Sequence, residues 1–340
     1  MFKRVIASVL CVVLSMATLV GCGKKASNEQ GDGTAEKKEK IVIKVGYENN
    51  PGEPIDVAVN EWARLVKERS NGEIELQLYP SSQLGSKKDL TEQMTMGGNV
   101  ITISDGAALM DYVPDIGILT GPFLADNYDE MDKAVNSEWF AENVAKLEEK
   151  GITVLTANWH YGEMHLITKE PVKAPEDLKG MKVRCPNSSL FISITEAMGA
   201  TPTPMPLSDL YTALAQGVVE GAYNPLPVLY GTKMHEQAKH LSLTGHIKIQ
   251  SIWIASDKFI KSLPADAVEL VKTAGNDAGL FLNKNNEEAE KKATEDMKAA
   301  GVEIIDVDKS LFRETVSDFY NTIPEWSEGL YERVREEMTK

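Results

Sequence analysis

Met181-Lys-Val-Arg-Cys-Pro-Asn-Ser-Ser189 reads as a strand that stops abruptly and hands the chain to a helix. Met181, Val183 and Cys185 alternate with Lys182 and Arg184, the period-two pattern of a strand with unlike faces. Pro186 ends it, Asn187, Ser188 or Ser189 can cap a helix, and Leu190, Ile194 and Ala197 recur at helical spacing up to Gly199. Arg184 therefore stands at the C-terminal end of a strand, beside a helix N-terminus. In an open α/β sheet ligands bind at such ends, and the free N–H groups of the helix favour anions. A guanidinium adds a two-pronged donor that matches a carboxylate. The competing reading makes Arg184 an ordinary solvated strand residue.

The same alternation extends in both directions. Ile41-Val-Ile-Lys-Val-Gly-Tyr47 is strand-like; Ile55, Ala58, Val59, Trp62 and Val66 then recur at helical spacing until Ser70-Asn71-Gly72, and Glu73 to Tyr79 returns to period two. This βαβ unit is followed by strand patterns at Val100 to Ile103 and Ile152 to Thr156, which favours an α/β protein with mostly parallel sheets. Downstream, Ser208 is placed to cap a helix carrying Leu210, Ala213 and Leu214, with Gly217 past its end. Asn224-Pro225 then marks another strand exit, where an amide can bond a ligand or shape a turn. Ile247 to Ala255 reads as a strand. From Pro264 to Ala300 the pattern is helical but contains Gly275 and Gly279. One continuous helix would run about 55 Å, enough to lie across two domains; two helices bent near those glycines fit as well.

The N-terminus sets the compartment. Lys3 and Arg4 precede an apolar run from Val5 to Val20, too short to span a membrane, which predicts a secretory signal over residues 1–21. Its ending, Leu19-Val20-Gly21-Cys22, resembles a bacterial lipobox, so Cys22 is expected to become a lipid-bearing N-terminus; an ordinary signal with an incidental cysteine is the alternative. Residues 22–40 lack large apolar side chains and read as a flexible tether reaching roughly 20–25 Å. With Cys11 removed and Cys22 blocked, Cys185 is alone and no intrachain disulfide is available. The formal charge is −15, and −17 once Lys3 and Arg4 leave. Such a surface argues against nucleic acid and repels anions at long range, so an anion site must work through close donors.

No P-loop, G-x-G-x-x-G, G-x-S-x-G or H-E-x-x-H pattern is present. His160 and His165, like His235 and His240, are five apart, which does not stack two rings on one helix face. Neither an enzyme, a cofactor nor a metal site is indicated.

Several spaced stretches together carry a family signal: Tyr79-Pro-Ser-Ser-Gln-Leu-Gly85, Asp177-Leu-Lys-Gly-Met-Lys-Val-Arg184, Met198-Gly-Ala-Thr-Pro-Thr-Pro-Met205, and Leu210-Tyr-Thr-Ala-Leu-Ala-Gln-Gly217 through to Asn224-Pro225. From about Ile41 to Ala300 the chain resembles the DctP-type solute-binding receptors of TRAP (tripartite ATP-independent periplasmic) transporters. The resemblance implies a two-lobed, periplasmic-binding-protein-like α/β fold with crossing strands and a long helix spanning both lobes. Lobe I would hold 41–160 plus 250–290, lobe II 161–249, and helices in 291–340 would pack across them. It further implies a monomer, lipid-anchored on the outer face of the cytoplasmic membrane, that captures a small organic acid such as a sugar acid or a hydroxy- or keto-acid. The acid would pass to a membrane permease driven by an ion gradient. A lipid-anchored sensing receptor on the same fold is the alternative.

Carried over by position, Arg184 resembles the family's carboxylate-clamping arginine and Asn224 its asparagine partner, while Asp105, Tyr47 and Glu48 fall where the facing lobe supplies polar contacts. In Gly162-Glu163-Met164-His165, Met164 occupies a position that often holds a second arginine. His165 or Trp159 would substitute in part only if the loop is displaced, and Tyr223 replaces a common glutamate. These departures imply a ligand with fewer charges, or a more apolar body, than a dicarboxylate.

Overall fold

The computed structural model describes residues 40–340; the signal sequence, Cys22 and all but the last residue of the tether lie outside the described residues. Eleven strands among the described residues form two mixed sheets. The first contains β1 (Ile41–Gly46), β2 (Ile74–Tyr79), β3 (Val100–Ser104), β4 (Ile152–Glu163) and β10 (Lys248–Ser256), in the order β2-β1-β3-β10-β4. The second contains β5 (His165–Thr168), β6 (Lys182–Cys185), β7 (Thr201–Pro204), β8 (Gly221–Asn224), β9 (His240–Ser242) and β11 (Glu303–Ile305), in the order β11-β9-β5-β8-β6-β7.

Strands carry the chain between the sheets twice, at Met164 between β4 and β5 and again between β9 and β10, and the segment after β10 returns to the second sheet at β11. That double crossing explains why the sheets are less parallel than the βαβ pattern suggested. β10 runs antiparallel to β3 and β4, and β5 antiparallel to β8 and β9, because the return path must travel against the outward one. Pairing of β4 with β10 continues to Glu163 and Lys248, and Met164 N–H donates to Ile247 O at 2.8 Å. The switch therefore lies a few residues from the expected boundaries at 160/161 and 249/250.

The helix Ala265–Ala299 is continuous. Its 35 residues span about 50 Å. Ala267, Val271, Ala274 and Leu282 belong to the first lobe's core with Ile43, Val45 and Trp62, whereas Ala293 and Met297 pack with Leu214 and Leu241 of the second. Gly275 and Gly279 do not break the helix, because they are where indoles lie against it. A Cβ on Gly275 would sit 2.9 Å from the Trp62 ring, and one on Gly279 2.6 Å from Trp159 Cδ1. The bare backbone lets Trp62 and Trp159 donate their Nε1–H groups to Val271 O and Gly275 O, each at 2.9 Å. Trp253 completes a cluster with ring centroids 5.1–5.8 Å apart.

Two local expectations change. The helix expected to be capped by Ser208 begins two residues earlier, at Leu207, with Pro206 in the cap position, since proline's fixed φ suits a helix entry. The segment 291–340 is not purely helical: Gly301, at φ +83°, ends the long helix, and the stretch Val302 to Ile305, β-branched except at Glu303, adds β11 to the edge of the second sheet. Beyond it Phe312 enters the second lobe's core, and Leu330, Val334 and Met338 pack with Trp139 of the first.

Glu53, at the start of the helix Pro54–Arg69, lies where the lobes meet. It is buried; Asn49 Nδ2 donates to its Oε2 at 2.8 Å, and Oε1 has no partner. Gly231 of the second lobe lies so close that a Cβ there would be 2.6 Å from Oε1. Burial pushes the Glu53 carboxyl up to about 7.

This packing can be tested at two positions. Gly279→Ala should lower the unfolding free energy by roughly 1–3 kcal/mol through overpacking, despite alanine's better helix propensity; urea unfolding no weaker than wild type would mean that the indoles do not hold the helix. For Glu53, a folded pKa above the unfolded value means stability that is full below about pH 4.5 and is lost as pH rises through about 7. Glu53→Gln should thus be more stable than wild type at pH 8, by up to about 3 kcal/mol, and no more stable at pH 4. Glu290, also pushed up to about 7 by burial, is present in both proteins, so an unchanged pH profile would exonerate Glu53.

Candidate functional site

Between the lobes lies a cavity of about 210 Å³, far larger than a single water requires. The lobes meet across it: Ser188 Oγ donates to Ala107 O at 3.2 Å, and Ala107 and Met110 of the first lobe share an apolar cluster with Phe191 and Ile194 of the second. Ser188 occupies the N-cap position of the helix Ser189–Ala197, yet its side chain makes no cap bond and spans the cleft instead.

Arg184 enters this cavity from the end of β6, the middle of three parallel strands with β7 and β8. It is buried, not solvated. Nε and Nη2 both donate to Met205 O, at 3.0 and 2.8 Å, and Arg184 has no ion pair among the described residues. Met205 N–H in turn donates to Cys185 O at 3.0 Å, so the loop that orients the guanidinium is tied to its own strand. Burial lowers the Arg184 pKa and Glu48 opposes it, but a guanidinium keeps its proton in proteins. The result is a fixed, buried positive charge with donors to spare.

Asn224 closes β8 and lines the same cavity; its Nδ2 is buried without a partner among the described residues. Asp105 and Glu48 reach the cavity from the first lobe, where both meet Lys87. Lys87 Nζ lies 2.8 Å from Asp105 Oδ2 and 3.4 Å from Glu48 Oε1. Burial would strip the ammonium of its proton, but the two carboxylates outweigh that and hold its pKa above the ordinary value. Asp105 Oδ1 separately caps the turn Gly106–Leu109 by accepting from Ala108 N–H at 2.9 Å. Met164 lines the cavity as an apolar surface, with Phe191 and Ile249.

Three of the residues expected at the site are elsewhere. Tyr47 is buried in the first lobe's core with its hydroxyl donated to Asp56 at 2.7 Å. Trp159 is fully buried in the indole cluster against the long helix. His165 faces away from the cavity lining: its Nδ1 accepts from Gly245 N–H at 3.0 Å, and burial pulls its pKa down to about 4, which leaves the ring neutral. Neither Trp159 nor His165 therefore replaces the charge absent at Met164. Cys185 is free and buried in the second lobe's core, and burial raises its thiol pKa.

Lys87, Ser104 and Ser251 also line the cavity, and sequence patterns do not single them out. Lys87 opens the helix Lys87–Thr95 behind a capping box formed by Ser86 and Asp89, and that S-x-x-D spacing just after Gly85 is the one local signal near it. Ser104 and Ser251 end or interrupt apolar strands, and their buried Oγ atoms lack partners; nothing local distinguishes them.

Known proteins resemble this arrangement along nearly the whole described chain. A crystal structure of a TRAP periplasmic solute binding protein from Ochrobacterium anthropi with bound L-fuconate is 48% identical, covers 88% of this chain and 99% of its own, and superposes with a TM-score of 0.87. Another, from Actinobacillus succinogenes 130z with bound L-galactonate, is 43% identical with the same coverage and TM-score. The 2,3-diketo-L-gulonate-binding periplasmic protein of Escherichia coli K12 is 29% identical over 81% of this chain and 84% of that protein. These relatives are solute-binding transport proteins rather than enzymes. The family model for bacterial extracellular solute-binding protein, family 7, named DctP, matches residues 45–325, a span that holds both sheets' crossing strands, Arg184 and Asn224, and this chain belongs to that family of TRAP solute-binding receptors.

Proposed function

We propose that this protein binds a sugar acid of the aldonate type outside the cytoplasm and delivers it to a TRAP membrane permease, tethered to the membrane through lipid on Cys22. The observation that carries the reading is Arg184: a buried guanidinium with no ion pair among the described residues, in the same cavity as the Nδ2 of Asn224, which has no partner among them either. A ligand carboxylate between these two groups supplies the missing acceptor, in bonds strengthened by charge. The neighbours that bind L-fuconate and L-galactonate support the choice of acid. Met164 in place of a second cationic donor favours a single carboxylate, and the apolar wall of Phe191 and Ile249 favours a carbon chain lying against it.

Closure arises from the same contacts. The acid's carboxylate engages the second lobe and its hydroxyls the first, so only the closed form gains both sets of interactions. The receptor then presents a single surface to the permease when loaded.

A thermal-shift panel of aldonates, uronates, hydroxy acids and neutral sugars, combined with titration calorimetry, tests this. L-Galactonate or L-fuconate should raise the melting temperature, and Arg184→Ala should weaken binding by on the order of 2–5 kcal/mol, at least thirtyfold. Stabilisation only by neutral or cationic solutes, or an Arg184→Ala affinity within threefold of wild type, would sink the proposal.

A further inference from the structure

We propose that Glu48 and Asp105 determine the charge of the ligand: by occupying Lys87 they make the wall facing Arg184 a hydroxyl-binding surface that rejects a second carboxylate. The inference rests on the anion clamp proposed at Arg184 and adds the selection made at the other end of the cavity.

A lysine in a binding cavity would ordinarily invite an anion. Lys87 does not offer a free charge, because Asp105 Oδ2 and Glu48 Oε1 lie 2.8 and 3.4 Å from its Nζ. One ammonium between two carboxylates leaves that wall net negative. Asp105 is further committed through Oδ1 to Ala108 N–H, so it cannot turn away from Lys87 without uncapping the turn that begins there. The other charged groups lining the cavity, Lys88, Glu92 and Asp111, are also net negative, but all three are exposed, so the repulsion at this wall rests on Glu48 and Asp105. A carboxylate placed here would face like charges in a partly desolvated space, where such contacts are not screened as they are in water.

Hydroxyl groups meet no such penalty. A carboxylate accepts from an O–H, and an ammonium with three donors can spare one for a hydroxyl oxygen. Ser104 and Ser251, whose buried Oγ atoms have no partner, add groups able to donate or accept. The wall is therefore complementary to a polyol end and repulsive to an acid end, and the discrimination comes from repulsion as much as from attraction.

The test compares an aldonate with the aldarate obtained by oxidising its terminal carbon, L-galactonate with galactarate being the first pair, by titration calorimetry on the full mature chain. Wild type should prefer the aldonate by about a hundredfold. Glu48→Gln should narrow that preference by about tenfold through tighter binding of the aldarate, and Asp105→Asn, which keeps a capping side chain, should move the ratio in the same direction. Each variant's thermal melt establishes that it is folded. If the aldarate binds wild type as tightly as the aldonate, or both variants weaken the two acids by one common factor, the inference is overturned while the anion clamp stands. If no monocarboxylate of the panel binds wild type, the clamp itself falls, and this inference with it.

Discussion

A guanidinium that donates twice to the carbonyl of Met205 and forms no ion pair among the described residues is the constraint around which this structure is arranged. A buried unpaired charge is costly, and the structure tolerates it where a partner can arrive from outside. The neighbouring elements keep that position ready. β6 ends at Cys185, Pro186 turns the chain away, and Cys185 O holds Met205 N–H so that the acceptor loop cannot drift. Asn224 emerges from the adjacent parallel strand with an amide still to be satisfied. Rigid strands, rather than loops alone, therefore place both groups proposed to hold the acid.

The remaining architecture joins the two lobes around that point. Two antiparallel strand paths, β4 into β5 and β9 into β10, connect the sheets. The long helix bridges both cores, and its glycines accept the indoles of Trp62 and Trp159 rather than forming a hinge. The closure proposed above would therefore have to bend the strand crossings near Met164 rather than the helix. This rigid-body division fits a receptor that gains affinity only when both lobes touch the ligand.

Legibility in the sequence differs by residue for physical reasons. That Arg184 and Asn224 line the cavity is legible because strand ends are marked locally, by Pro186 and Pro225, and because strand ends are where such sheets bind ligands. The long helix is readable from its period, but its continuity is not, since only the tertiary contact with the indoles shows why glycine is needed there. Trp159, Tyr47 and His165 are misplaced by sequence reasoning because each lies within a few residues of a lobe crossing or strand end, and only the register of β4 with β10 and the packing of the helices decide which face each side chain takes. Lys87 escapes notice because its significance is a long-range pairing with Glu48 and Asp105, which no local pattern encodes.

The direction in which the acid lies in the cavity is the most direct test of the Arg184 clamp. A crystal structure of the protein with its aldonate decides it. The carboxylate should lie within about 2.7–3.1 Å of Arg184 and Asn224 Nδ2, with the polyol chain extending toward Lys87, Glu48 and Asp105. A carboxylate seated on Lys87, with hydroxyls against Arg184, would contradict the clamp.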